Sequence, residues 1–143
     1  MYKKICIALD NSATDMAILN HIRDLARLTK SQLILVHVAD GFGARLQDQL
    51  NLEDSEEIKK DKAYLDGLQK QLRSEGLAVE ALLVQGKEPV DGILSVVQDE
   101  QCDLIAMATH GHGFIKDVIL GSVADNLRHR TDIPILMIRS SSK

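Results

Sequence analysis

A regular alternation of short apolar runs with longer amphipathic stretches constrains the fold of this chain more than any other feature. The runs predict buried strands at residues 5–9, 33–39, 79–84, 104–108 and 133–138. Between them, apolar side chains recur at spacings of three and four, as at Ile18, Ile22 and Leu25, which predicts helices. Strands that are apolar on both faces need cover on both faces. The sequence therefore predicts an α/β fold in one domain over residues 1–143, with helices on both sides of a parallel sheet.

Composition narrows the range of partners. Lys and Arg total 17 against 21 Asp and Glu, and the formal charge of -4 gives no general attraction for a polyanion. We expect no nucleic acid partner, and no membrane partner because no apolar run is long enough to cross a bilayer. Cys6 and Cys102 fit no zinc spacing and are not preceded by a secretory segment. We expect them to be buried, inert thiols in a cytoplasmic protein.

Glycine, proline and capping residues indicate where the helices begin and end. Residues 41–53 are predicted to form a loop that orders around a partner or ligand. Asp54 or Ser55 is predicted to cap the longest helix, and Gly76 is placed to end it. Pro89 suits the first turn of the next helix.

The most informative stretch follows the fourth strand, where Gly111 and Gly113 precede a Gly121-Ser122-Val123 segment that is predicted to open a helix. Glycines let backbone amides approach an oxyanion, and the start of a helix adds unpaired N–H groups and a positive dipole. The Ser122 hydroxyl adds another donor. This pattern predicts a phosphate-binding site. The alternative is that the two glycines only shape a turn and Ser122 only caps a helix.

This stretch and the order of elements resemble the universal stress protein family, whose nucleotide-binding members carry Gly-x-x-Gly, nine residues, then Gly-Ser or Gly-Thr. The chain has Ala108-Thr109-His110-Gly111, nine residues, then Gly121-Ser122. The likeness extends to the end of strand one, to His37-Val38 in strand two, and to the stretch from Asp132 to Leu136.

The resemblance implies a five-stranded doubly wound sheet of order 3-2-1-4-5, of the adenine nucleotide alpha hydrolase-like type, with an ATP site. It implies that Asp10 and Val38 lie near the adenine, that Ala8 and Leu9 border it, and that the ribose lies by Ala108. It also implies that a divalent metal, Mg²⁺ by preference, neutralises the phosphates. The residues expected around the phosphates are Gly111, Gly121, Ser122 and Val123, with Gly113 and His110 beside them.

Several of these residues have a second interpretation. Ala108 replaces the first glycine of the motif. Its methyl costs little if the strand is ordinary and the Cβ points away, and on the order of 1 kcal/mol if φ must be positive. Asp10 could equally cap the following helix. His110 could contact phosphate or simply be an exposed loop residue, and His37 is expected to be a hydrogen-bonded packing residue.

The pattern favours a binding protein over an enzyme, because no lysine follows the glycines as it does in a P-loop. The resemblance implies an ATP-binding regulator of the stress response, whose nucleotide occupancy modulates contacts with a protein partner that the sequence does not identify. It also implies a homodimer through the strand from Ile133 to Ile138, which would cover an apolar edge. Two alternatives stay open: a nucleotide-free dimeric scaffold, and a slow ATPase.

Overall fold

The computed structural model describes residues 1–39, 52–110 and 115–140. Strands and helices alternate along the described chain, as predicted. The elements in chain order are β1 (Lys4–Ala8), α1 (Asp15–Thr29), β2 (Gln32–Val38), α2 (Leu52–Ser74), β3 (Ala78–Val84), α3 (Pro89–Glu100), β4 (Leu104–His110), α4 (Ile115–Arg130) and β5 (Ile135–Ser140). Within these described ranges, no helix is both long enough and apolar enough to cross a membrane.

The five strands form one parallel sheet in the order β3-β2-β1-β4-β5, which confirms the predicted topology. The chain winds outward from β1 through β2 to β3 and then returns to place β4 on the other side of β1. The winding direction therefore reverses beside β1. Open sheets of this kind bind ligands beyond the carboxyl ends of the strands at such a reversal.

Each face of the sheet has its own core, because successive side chains of a strand point to opposite faces. Ile5 and Ile7 of β1 pack with apolar residues of α1 and α2. Cys6, between them, packs on the other face with residues of α3 and α4. Helices therefore cover both faces, as predicted, and the expected burial of Cys6 and Cys102 is confirmed.

The glycine predicted to end the longest helix does so. Gly76 has a φ of +90°, and its N–H donates to the Arg73 carbonyl at 3.0 Å. The Leu77 N–H donates to the Leu72 carbonyl at 3.2 Å, which completes a Schellman motif. Pro89 is the first residue of α3, also as predicted.

The start of α2 differs from the prediction. The helix begins at Leu52, before the predicted caps Asp54 and Ser55. Glu53 and Asp54 therefore lie in the first turn of the helix. Residues 40–51 lie outside the described residues, so the conformation predicted for most of the 41–53 loop stays a prediction.

Candidate functional site

A cavity of about 180 Å³ opens at the carboxyl ends of β1, β2 and β4, where the winding reverses. Among the described residues, its walls are mostly aliphatic, with polar groups contributed by one aspartate and one histidine. The lining residues are Ala8, Leu9, Asp10, Val36, His37, Val38, Pro89, Ile93, Met107 and Val123. Ala8, Leu9, Asp10, Val38 and Val123 were all singled out from the sequence, and the fold brings these five together.

A glycine in α3 sets how closely that helix approaches the cavity wall. A Cβ built on Gly92 would lie 2.6 Å from Cγ2 of Val38 and 3.3 Å from Cγ1 of Val84. The first distance is shorter than two carbon atoms can approach and the second is tight, so Val38 would have to shift to make room for a larger residue at position 92. Sequence reasoning missed Gly92, although an isolated glycine inside an apolar helical pattern is itself a sign of close packing.

Ala108 does not place its methyl group in the cavity. The residue lies within β4 with ordinary strand dihedrals and is 6% exposed. It packs in the core that contains Leu9 and the buried residues of α1, on the opposite face from Met107, which lines the cavity. Ala108 replaces the first glycine of the motif, and two cases were considered for it. The structure has the case in which the strand is ordinary and the Cβ points away from the cavity, so the free-energy cost of the methyl group is small.

The turn after β1 holds the carboxylate of Asp10 with hydroxyl groups. Ser12 Oγ donates to Asp10 Oδ1 at 2.5 Å, and Thr14 Oγ1 donates to the same oxygen at 3.2 Å. Asn11 adopts a left-handed backbone with φ of +59°, which asparagine tolerates better than most residues. The Asp10 carboxylate is therefore held by its own turn at the cavity wall.

Asp15, which the sequence reasoning did not identify, is a buried carboxylate beside this turn. It is 2% exposed, Oδ1 accepts the Asp10 N–H at 3.1 Å, and Oδ2 accepts the Tyr64 hydroxyl at 2.9 Å. The pKa of Asp15 is raised to about 7, chiefly by burial and also by the negative charge of Asp10, while the hydrogen bonds from the Asp10 N–H and the Tyr64 hydroxyl act in the opposite direction. A signal was present in the sequence, since Asp15 shares the helical stripe of Ile18 and Ile22.

His37 joins β2 to α2 at the same edge of the sheet. Its Nδ1 donates to the Leu9 carbonyl at 2.9 Å, and its Nε2 lies 3.5 Å from Oδ2 of Asp61. The other oxygen of Asp61 accepts a hydrogen bond from Asn11 Nδ2 at 3.1 Å. The predicted role of His37 as a hydrogen-bonded packing residue is confirmed, and the histidine also lines the cavity.

The prediction that Gly121 and Ser122 open a helix is wrong. Helix α4 begins at Ile115 and runs through both residues. The cause is that residues 115–120 contain no proline or glycine, and extending a helix is easier than nucleating one, so a single glycine does not set its start. Ser122 is exposed on this helix next to the buried Val123.

The other residues of the glycine motif are only partly described. His110 is the last residue of β4. Gly111 and Gly113 lie outside the described residues, and their predicted contact with phosphate stays a prediction.

A second concave surface, the β5 groove, lies between α4 and the edge strand. It has a volume of about 480 Å³ and is partly apolar, and Met137 within it is 51% exposed. The lining residues are Thr109, Ala124, Asp125, Arg128, Thr131, Ile133, Ile135 and Met137.

A parallel sheet of order 3-2-1-4-5 with a cavity at the β1 and β4 strand ends is an architecture of the nucleotide-binding α/β class. The chain belongs to the universal stress protein family, whose sequence profile matches residues 1–139. A universal stress protein of Methanocaldococcus jannaschii is 29% identical over 156 residues, covering 97% of this chain and 96% of that protein. One of Thermus aquaticus is 28% identical over 153 residues, covering 97% of this chain and 100% of that protein.

Solved structures of family members agree with the fold. The structure of the same Methanocaldococcus jannaschii protein superposes with a TM-score of 0.81 at 28% identity, covering 100% of this chain and 99% of that one. A universal stress protein from Archaeoglobus fulgidus in complex with dAMP superposes with a TM-score of 0.70 at 27% identity, covering 96% and 98%.

Proposed function

We propose that this protein binds an adenine nucleotide, ATP with Mg²⁺, in the cavity at the ends of β1, β2 and β4, and that occupancy modulates its contacts with a protein partner. The observation that carries the proposal is the cavity itself. Five residues expected around the nucleotide line it. The dAMP complex of the Archaeoglobus fulgidus relative supports an adenylate as the ligand.

The size and chemistry of the cavity suit the base of the nucleotide. About 180 Å³ is below the roughly 300–1,000 Å³ of complete small-molecule pockets. Aliphatic walls from Val38 and Ile93 can cover the faces of a purine, and Asp10 and His37 supply polar groups at its edge. The ribose and phosphates would extend toward Ser122 and toward Gly111 and Gly113. Bound Mg²⁺ would supply positive charge to the phosphates.

Ala8→Leu tests this placement directly, because the added carbon atoms enter the cavity at the end of β1. Ala78→Leu is the matched control, since Ala78 is exposed at the start of β3. Calorimetric titration with Mg-ATP is expected to show at least a tenfold loss of affinity for Ala8→Leu only, while both variants keep the wild-type circular dichroism spectrum. Equal affinity of Ala8→Leu and wild type would refute the placement.

A thermal-shift titration separates nucleotide binding from the nucleotide-free scaffold. A ligand at a hundred times its dissociation constant stabilises the folded state by about 2.7 kcal/mol. We expect a rise in the melting temperature with Mg-ATP and a smaller rise when EDTA removes the metal. No rise at millimolar Mg-ATP would favour the scaffold.

We propose a binding protein rather than a catalyst of rapid hydrolysis. Fast phosphoryl transfer needs a cation aimed at the γ-phosphate, and no lysine follows the glycines of this chain as it does in a P-loop. Single-turnover assays are expected to show hydrolysis no faster than with Ala8→Leu. Hydrolysis that this variant abolishes would instead assign a slow ATPase to the site.

We also propose that two copies of the chain pair through β5, the strand that was predicted from Ile133 to Ile138. β5 is an edge strand, and the exposed Met137 and the β5 groove give it an apolar surface. Sedimentation velocity at micromolar concentration is expected to show a dimer that Met137→Lys weakens. A wild-type protein that sediments only as a monomer would refute the pairing.

A further inference from the structure

Asp15 occupies a place between the nucleotide cavity and helix α2. One of its carboxylate oxygens accepts the N–H of Asp10, a residue of the cavity wall. The other accepts the hydroxyl of Tyr64, which α2 contributes from far along the chain. Both oxygens are thus engaged in fixing the turn after β1 against α2, a helix whose described side chains do not line the cavity.

Ionising the carboxyl group of Asp15 costs considerable free energy. Asp15 is 2% exposed, and the carboxylate of Asp10 lies close enough to disfavour a second negative charge. Within the described part of the chain, Asp10 from the β1 turn and Tyr64 from α2 are the titratable groups that influence the pKa of Asp15. His37 of β2 and Asp61 of α2 form the adjoining pair in this polar cluster.

We infer that Asp15 is a positioning residue for the nucleotide cavity: its carboxyl group holds the Asp10 peptide in the cavity wall and joins that wall to α2 through Tyr64. The ligand part of this inference rests on the function proposed above. A neutral Asp15 leaves one negative charge fewer beside the cavity, so an anionic nucleotide binds more tightly to the protonated form. Because the pKa of Asp15 is about 7, affinity decreases as the pH rises through neutrality.

Calorimetric titration of Mg-ATP from about pH 6 to about pH 8 tests this link. For each protein, the dissociation constant at about pH 8 is divided by the constant at about pH 6. This ratio is then compared between wild type and Asp15→Asn, because titration of the nucleotide itself affects both proteins equally. We expect the ratio to be at least about threefold larger in wild type. Asp24→Asn is the control, since Asp24 lies on the same helix with its side chain 90% exposed, and it should follow wild type.

The variant Tyr64→Phe tests whether Asp15 acts through its protonation, because it should change the pH midpoint of the affinity change. A purely structural role of Asp15 would leave that midpoint where it is. The hydroxyl stabilises the ionised form of Asp15, so its removal raises the pKa of the carboxyl. The midpoint of the affinity change should therefore move to higher pH. A structural defect alone would lower affinity by the same factor at every pH.

The Asp10 amide gives a second measurement that needs no ligand. Its proton donates to Asp15, so its chemical shift in ¹H–¹⁵N spectra should titrate near pH 7 in wild type and in Asp24→Asn, and not in Asp15→Asn. A shift that does not titrate would overturn the inference. Nucleotide binding with equal pH ratios in wild type and Asp15→Asn would also overturn it while leaving the proposed function intact. Absence of binding at every pH would refute the proposed function and, with it, the ligand part of this inference.

Discussion

Replacing Asp15 with asparagine should make the stability of the protein less dependent on pH. Asparagine has the same shape and keeps an oxygen that can accept the Asp10 N–H, but it carries no charge. The pKa of Asp15 is about 7 in the folded protein against an ordinary value of 3.8. A tenfold change in proton affinity corresponds to about 1.4 kcal/mol, so keeping Asp15 ionised in the folded state costs on the order of 4 kcal/mol.

The direction of the effect follows from which state binds the proton. Below about pH 4, Asp15 is protonated in both the folded and the unfolded chain, and its contribution to stability is fully present. Between about pH 4 and pH 7 the unfolded chain has lost this proton while the folded protein retains it, so the free energy of unfolding falls as the pH rises. Above about pH 7 the loss is complete. The asparagine variant lacks this loss.

Urea denaturation of wild type and Asp15→Asn at several pH values from about 4 to about 8 measures the difference. The stability of the variant relative to wild type is expected to increase by up to about 4 kcal/mol across this range and then to level off. Taking the difference between the two proteins cancels the titration of the groups that do not interact with Asp15, and Asp24→Asn again supplies the control. A difference between variant and wild type that is constant with pH would refute the burial argument.

Three further substitutions test the packing described above. Gly92→Ala should lower the free energy of unfolding by about 1–3 kcal/mol and weaken nucleotide binding, because the added Cβ would lie 2.6 Å from Val38 in the cavity wall. An unchanged melting temperature would contradict this close approach. Gly76→Ala should cost on the order of 1 kcal/mol in urea denaturation, since φ is +90° there, and a neutral result would argue against the Schellman motif. Leu127→Ala should lower the free energy of unfolding by about 2–5 kcal/mol in the same assay, because the Leu127 side chain is fully buried. A smaller decrease would show that the core under α4 is loosely packed.

Most of the fold could be predicted because the apolar runs coincide with the centres of the strands. The ends of the strands could not. β4 continues past Ala108 because Thr109 and His110 pair with Arg139 and Ser140 of β5, and this backbone pairing leaves no trace in an apolar pattern. The last strand begins after Pro134, which has no N–H to donate.

The cavity wall was predictable for a related reason. Ala8, Asp10 and Val38 follow or end buried strands, and the ends of parallel strands meet at one edge of the sheet. Asp15 was not found because an acidic residue at the start of a helix is usually explained by capping. Its burial depends on Tyr64, which is 49 residues away in sequence. The start of α4 was misplaced because Gly121-Ser122 has the local appearance of a helix start.

The alternation along β4 has a consequence for how relatives of this protein are recognised. Met107 and Ala108 are consecutive, yet one borders the cavity and the other supports the layer beneath α1. Larger residues at 107 would narrow the ligand space, whereas larger residues at 108 would strain the opposite layer. A sequence pattern that requires glycine at position 108 would discard chains in which, as here, the residue faces away from the cavity, so the orientation of this residue is a better criterion than its identity.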